Sequence, residues 1–185
     1  MGNPLWAPWR MEYVLGHKRD AGCVFCGVTE MSAPARAERL VLASTSAAFV
    51  VLNRYPFTAG HLLVVPHRHI EGLEDLSIAD HDAVFRLVRA SVSRLRAAVK
   101  ADGFNVGVNL GAAAGAGIAA HLHVHVVPRW SGDTNFMPVL ADVRVVPQAL
   151  EATRDYLARF FADVDGAHAG ATFDGALAEH AEAPR

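Results

Sequence analysis

The period of the apolar positions changes several times along the chain, and each change marks an element. Residues 38–44 (ERLVLAS) and 47–53 (AAFVVLN) are short apolar runs parted by a polar turn. They read as two strands. Residues 53–60 (NRYPFTAG) carry Pro56 and Gly60 and read as a loop, and 61–66 (HLLVVP) is a third strand that stops at proline. A helical period follows: Val84, Phe85, Leu87, Val88, Val92, Leu95 and Val99 recur at 3.6-residue spacing, behind a Ser77–Asp80 pair that resembles a capping box. Asp102-Gly103 ends that helix. Residues 104–110 (FNVGVNL) read as a fourth strand, and 111–120 (GAAAGAGIAA) as a small-residue loop. Residues 121–128 (HLHVHVVP) alternate strictly, which predicts a fifth strand with one apolar face and one face of imidazoles. Pro147 can open a second helix, with Leu150, Tyr156, Leu157, Phe160 and Phe161 on one side.

Strands outnumber helices and the links are short, so neighbouring strands are expected to be antiparallel. The fold class is α+β, in one domain spanning residues 1–162. Residues 1–37 form an N-terminal arm whose Trp6, Trp9 and Tyr13 are dense enough to pack onto something. Residues 163–185, rich in Ala and Gly, are expected to be a frayed tail.

Composition narrows the function classes. The 185 residues are 52% hydrophobic and 19% charged, which suits a packed core. The formal charge of −2 gives no electrostatic reason to bind nucleic acid or an anionic membrane. No apolar run reaches the roughly 18–20 residues of a membrane span, and the N-terminus lacks the pattern of a secretory signal. A cytoplasmic protein is expected. The two cysteines, Cys23 and Cys26, are too few for a disulfide framework, and their spacing fits metal ligation or a redox pair. The charge runs at 17–20 (HKRD) and 94–100 (RLRAAVK) read as solvated faces. Trp130 reads either as a base-stacking residue or as packing.

The three histidines carry the chemistry. One histidine in a strand is usually a packed or exposed residue; three in strict alternation behind a Gly-rich loop are not. A neutral imidazole can attack phosphorus through one ring nitrogen while a carbonyl holds the other as a donor. A second imidazole can bind phosphate oxygens. The row therefore suits phosphoryl or nucleotidyl transfer, or a three-histidine metal site. Gly111, Gly115 and Gly117 can bring backbone N–H groups close to an anion. The lysine and Ser/Thr of a P-loop are missing.

The stretch HLHVHVVP resembles the signature of the histidine triad superfamily. The resemblance extends through VLNRYPFTAGHLLVVPHRHIEGLEDL, GFNVGVNLG and PRWSGDTNF, covering roughly residues 38–137. LWAPWRMEYV and HLHVHVVPRWSGDTNF are most similar to the bacterial branch that includes diadenosine tetraphosphate phosphorylases. The resemblance implies a five-stranded antiparallel sheet with one long and one C-terminal helix, continued across a homodimer. It implies adenine nucleotides or dinucleoside polyphosphates as ligands. His123 matches the nucleophile that forms a nucleotidyl-histidine intermediate, His125 a contact to phosphate oxygens, and His121 the histidine that orients the centre. Asn53 matches the ribose-binding position, His61 a histidine near the phosphates, and Asn109 a polar position beside the loop. Gly115 and Gly117 match the phosphate-side backbone. The chain departs from several relatives in having no Ser or Thr just upstream of the triad, where Gly117-Ile118-Ala119-Ala120 stand.

Some histidine triad relatives, and the related galactose-1-phosphate uridylyltransferases, bind zinc through a cysteine pair and two histidines. The resemblance places such a structural zinc on Cys23, Cys26, His69 and His121, with His67 competing for the place of His69. No organic cofactor is implied. The first reading is an enzyme that cleaves diadenosine tetraphosphate by phosphorolysis or hydrolysis. Alternatives are a nucleoside phosphoramidate hydrolase, a sugar-phosphate nucleotidyltransferase, or a purine-nucleotide-binding module with little turnover.

Overall fold

A computed structural model of the chain describes residues 22–133, 149–168, 171 and 173. The arm at 1–21, Pro147 and the stretch 134–148 lie outside the described residues. Five strands form one sheet: β1 Val41–Ser44, β2 Ala48–Leu52, β3 Leu62–Pro66, β4 Gly103–Val108 and β5 Val124–Arg129. Among the described residues three α-helices accompany them: α1 Ala33–Glu38, α2 Ile78–Val99 and α3 Leu150–Ala158, the last running into a 3₁₀ turn at Arg159–Phe161. The strand order is β1-β2-β3-β5-β4, and every neighbouring pair is antiparallel. The expected α+β class and five-stranded antiparallel sheet hold.

The order has one consequence for the site. The chain leaves β3, runs through α2 to the far edge as β4, and returns through β5 into the gap between them. β5 is therefore an inner strand, paired on both sides: Val124 with Val64 and Val108, and His125 with Leu63 and Gly107. Leu62, Val64, Val124 and Val126 are all 0% exposed. Each such side chain contributes about 1.5–3 kcal/mol by leaving water, so this part of the sheet is a stiff platform. Helix α2 covers the face that carries them, with the Arg96 guanidinium 5.2 Å from the Phe104 ring. The alternation of β-strands sends His125 to the opposite face.

Ser77 caps α2 by accepting the Asp80 N–H at 3.1 Å, as expected, while the Asp80 carboxylate pairs with Arg68 at 2.7 Å. Three expectations are corrected. Residues 38–40 do not begin β1: Ser32 caps the short helix α1, which ends at Glu38, and Leu40 turns the chain at φ 63° before the strand. Burial of Leu40 at 1% exposure offsets the strain of a left-handed leucine. Arg94 is not on a solvated face. It is buried, forms two hydrogen bonds to Asp163 at 2.8 and 2.7 Å, and donates to the Phe160 carbonyl at 2.6 Å. A lone buried guanidinium costs several kcal/mol, which this fork offsets.

Finally, the chain does not loosen at residue 163. Val164 is fully buried, Asp165 accepts from Ser44 N–H at 2.9 Å and from Arg36 at 3.0 Å, and residues 166 and 167 bond to Ser44 and Ser46. This short segment covers the outer edge of β1. Small side chains let the backbone itself supply the contacts, which a count of apolar residues does not register.

Candidate active site and metal centre

The histidine row does not lie wholly on a strand. Sheet pairing begins at Val124, so only His125 sits in β5, while His121 to His123 approach it as irregular backbone. The expected alternation survives in the side-chain directions of His123 and His125, whose rings meet edge to face at 5.0 Å. The ring of His121 turns away to a second cluster.

That cluster contains Cys23, Cys26, His69 and His121, whose ligand atoms all lie within 4.8 Å of one another. The Cys23 thiol is 3.2 Å from His121 Nδ1, and the Cys26 thiol is 3.3 Å from His69 Nδ1. A tetrahedral zinc with bonds of about 2.0–2.3 Å needs ligand separations of about 3.3–3.8 Å, so the arrangement fits. The tautomer fits as well. His121 Nε2 lies 2.9 Å from the Pro66 carbonyl, so it carries the proton and leaves the Nδ1 lone pair facing the thiols. His67 does not compete: its Nε2 bonds the Thr45 carbonyl at 2.9 Å and its ring stacks on Phe49. All four candidate metal positions are filled by protein, so the set has the closed form of a structural centre.

The other two triad histidines form a hydrogen-bonded line. His123 is 5% exposed, and its Nδ1 donates to the His121 carbonyl at 2.8 Å. This leaves the Nε2 lone pair free for chemistry. His61 Nδ1 accepts from the Phe57 backbone N–H at 3.1 Å, so its proton is on Nε2. That Nε2 donates to His125 Nδ1 at 3.0 Å, which puts the His125 proton on its own Nε2. His125 Nε2 is buried and has no hydrogen-bond partner among the described residues. It is a donor held ready for an acceptor. His61 itself is 0% exposed. It lies against His125, joined to it by that hydrogen bond. Asn53 is half-buried; its Oδ1 accepts from Tyr55 N–H at 2.9 Å and its amide nitrogen lies 3.3 Å from His61.

Burial pushes the pKa of His123 down against the opposing pull of the His121 carbonyl, and lowers that of His121 too. Burial and the adjacent His123 bring His125 down to about 4. These imidazoles are neutral at pH 7. For His125 the unfolded chain takes up its proton near pH 6.5 and the folded protein only near 4. Its contribution to stability is thus complete above pH 6.5 and is lost as pH falls through about 4. The loss is about 3 kcal/mol at roughly 1.4 kcal/mol per pKa unit. Denaturant unfolding of the wild type and of His125→Asn, compared at pH 7.5 and 4.5, should show the wild type losing more stability on acidification. Equal losses would contradict this.

The remaining expected residues lie on the segment that leads from β4 to the triad. Asn109 follows Val108, the partner of Val124, so the register brings it level with His123. Gly111 and Gly115 adopt left-handed φ of 75° and 84° around a 3₁₀ turn, which side-chain-bearing residues rarely do. Gly117 lies in the following turn, and His121 N–H bonds the Ile118 carbonyl at 3.3 Å, tying the loop to the triad. Trp130 is packing: its indole donates to the Val99 carbonyl at 3.3 Å and closes the end of α2. Two aromatic residues that sequence reading missed are close to the histidines. Phe25, between the two cysteines, lies 5.5 Å from both the His121 and His123 rings. Phe57, 49% exposed, stacks on His61 at 5.1 Å. The aromatic between the cysteines and the one in the proline turn were the available signals.

Comparisons with known proteins agree with this geometry. Residues 35–132 match the HIT domain. The chain is 40% identical over 159 residues to a protein named AP-4-A phosphorylase from Mycobacterium tuberculosis, covering 83% of this chain and 82% of that one. Among solved structures, a Zn-bound histidine triad family protein from Mycobacterium smegmatis superposes with a TM-score of 0.54 at 26% identity, over 77% of this chain and 95% of that one. A hypothetical histidine triad nucleotide-binding protein from Sulfolobus tokodaii gives 0.60 at 24% identity, over 77% and 93%. With a sheet of this order, His125 on its inner strand with the His123 ring against it, and a domain match across more than half its length, the chain belongs to the histidine triad (HIT) family.

Proposed function

We propose that this chain is a nucleotidyl-transferring enzyme that cleaves dinucleoside polyphosphates, and that its reaction is the phosphorolysis of diadenosine tetraphosphate. The observation that carries the reading is the His123 ring, neutral and buried, with Nδ1 donating to the His121 carbonyl so that Nε2 presents a lone pair. Nε2 attacks the α-phosphorus, a P–N bond forms, and the P–O bond to the β-phosphate breaks to release ATP. An oxygen of inorganic phosphate then attacks the same phosphorus and returns the electron pair to Nε2, releasing ADP. His125 donates from Nε2 to a phosphate oxygen as charge develops. His61 fixes the tautomer that makes this possible. Asn53 holds the ribose through the unused acceptor capacity of Oδ1, and Asn109 with the backbone of Gly115 and Gly117 flanks the phosphates. The similarity to AP-4-A phosphorylase supports the choice of substrate.

The Cys23, Cys26, His69 and His121 set holds a zinc ion in this reading, supported by the ligand separations and by the zinc-bound relative. When bound, zinc supplies a structural cross-link between the segment before α1 and the approach to β5. No described helix is long and apolar enough to cross a membrane.

Product analysis tests the reaction. With diadenosine tetraphosphate and inorganic phosphate, the pure protein should give ADP and ATP, and neither without phosphate. AMP and ATP in both cases would make it a hydrolase, and no products would end the dinucleotide reading.

The family resemblance also supports a homodimer, and the sheet has an edge suited to it. The β1 edge is covered by residues 165–167, whereas Asn105, Val106 and Gly107 of β4 are exposed, Val106 at 46%. A second copy pairing along β4 would continue the sheet. Sedimentation equilibrium should give twice the chain mass, and Val106→Lys should shift it toward one.

A further inference from the structure

The turn from Cys23 to Cys26 is bound to the nucleophile more closely than a remote clip would need to be. The Cys26 N–H closes the turn on the Cys23 carbonyl at 3.2 Å, and the Phe25 N–H donates to the Cys23 sulfur at 3.4 Å. This fixes where the Phe25 ring goes. It enters the core at 7% exposure, meets Phe49 edge-on at 6.3 Å, and lies 5.5 Å from the rings of both His121 and His123. Sheet pairing starts only at Val124, and residues 121 and 122 are held by single bonds to the Ile118 and Ile70 carbonyls. The peptide whose carbonyl orients His123 is held at its own N–H by the Ile70 carbonyl at 2.7 Å, and on its other side by what anchors the His121 side chain, namely Pro66, Phe25 and the two thiols.

We propose that the Cys23–Cys26 turn is a positioning device for the nucleophile. Phe25 forms one wall for the His123 ring, and the His121 side chain, gripped by the metal set, aims the carbonyl that holds His123 Nδ1–H. Phe25 is thus a positioning residue, acting on His123 and touching no substrate. The inference rests on His123 being the nucleophile, as proposed above. It goes further in making the metal centre and the catalytic ring one mechanical unit, joined through His121.

The test separates positioning from stability. Phe25→Leu keeps both thiols and nearly the same apolar volume but removes the flat wall. It should still bind one zinc per chain and keep KM within about twofold. Its kcat should fall about 10- to 100-fold, the scale expected when a reacting group is misaligned by a fraction of an ångström to one ångström. Nitrogen-15 NMR of the histidine rings gives the second reading, without substrate. In the zinc-loaded wild type, His123 should show a single tautomer protonated on Nδ1. In Phe25→Leu, and in wild type stripped of metal at a temperature where circular dichroism shows it folded, the two nitrogen shifts should move toward each other as tautomers mix. Phe25→Leu with full kcat and an unmoved His123 tautomer would overturn the proposal, as would an unmoved tautomer in the folded metal-free protein. If chelation unfolds the chain, Phe25→Leu decides alone. If Phe25→Leu does not fold, the metal-free wild type decides. Because the tautomer is read with no substrate present, absence of turnover on diadenosine tetraphosphate would count against the reaction proposed above and not against this coupling.

Discussion

His123→Ala should lose turnover of diadenosine tetraphosphate by on the order of 10⁴-fold or more, while its affinity for AMP changes by less than about tenfold. Removing a nucleophile takes away the covalent route itself, and losses for residues acting this way reach about 10⁶. The neighbours limit what is lost besides. His125 keeps its donor, because its tautomer is set by His61 from the far side. His121 keeps its ring contacts to Pro66 and the thiols. The ring of His123 is nearly buried, so alanine leaves a cavity against Phe25, and some stability goes with it. Steady-state kinetics beside calorimetric titration with AMP would separate the two effects. Retention of more than about a hundredth of wild-type kcat would remove His123 from the role of nucleophile. An unchanged rate with altered affinity is what a nucleotide-binding module would give.

On the zinc reading proposed above, a zinc chelator should lower the melting temperature by about 8–16 °C. A ligand that binds only the folded state contributes about 4 kcal/mol when present at a thousand times its dissociation constant. At this chain length 1 kcal/mol is worth about 2–4 °C. The drop should be partial, because the core also buries residues of β2, β3 and α2 such as Val50, Val64, Leu87 and Leu95, none of which is a candidate ligand. What should loosen is the segment around Cys23 and Phe25 and the approach to β5. Differential scanning calorimetry with a zinc chelator, followed by zinc add-back, checks both size and reversibility. Cys26→Ser should give a similar shift and become insensitive to the chelator. An unchanged melting temperature with no zinc in the purified protein would mean that the four residues hold no metal.

Much of the sheet was written locally. Runs such as HLLVVP and AAFVVLN allow few other conformations, and the Ser77 cap with its 3.6-residue period defines α2 within a few residues. Even the opposition of His125 to the helix-covered face follows from alternation alone. Which histidine faces the cysteine pair did not follow. His67 and His69 are equivalent in the sequence, and only the end of β3 decides that His67 meets Thr45 and Phe49 while His69 reaches Cys26. Arg94 looked like one more charge on a helix, and its burial depends on Asp163, sixty-nine residues away.

The sequence by itself determined which residue types could do chemistry and which stretches were strands or helices, because those properties depend on side-chain period and on neighbours a few positions apart. The tertiary structure decided what each histidine meets. His121 joins the thiols, His123 is aimed by a backbone carbonyl, and His125 takes its tautomer from His61 and a backbone N–H of the loop at Phe57. Each of these assignments is a hydrogen bond or a ring contact with a group whose position is fixed only once the sheet has closed around it. An imidazole has two nitrogens that the sequence cannot tell apart, and its chemistry depends on which of them is already engaged.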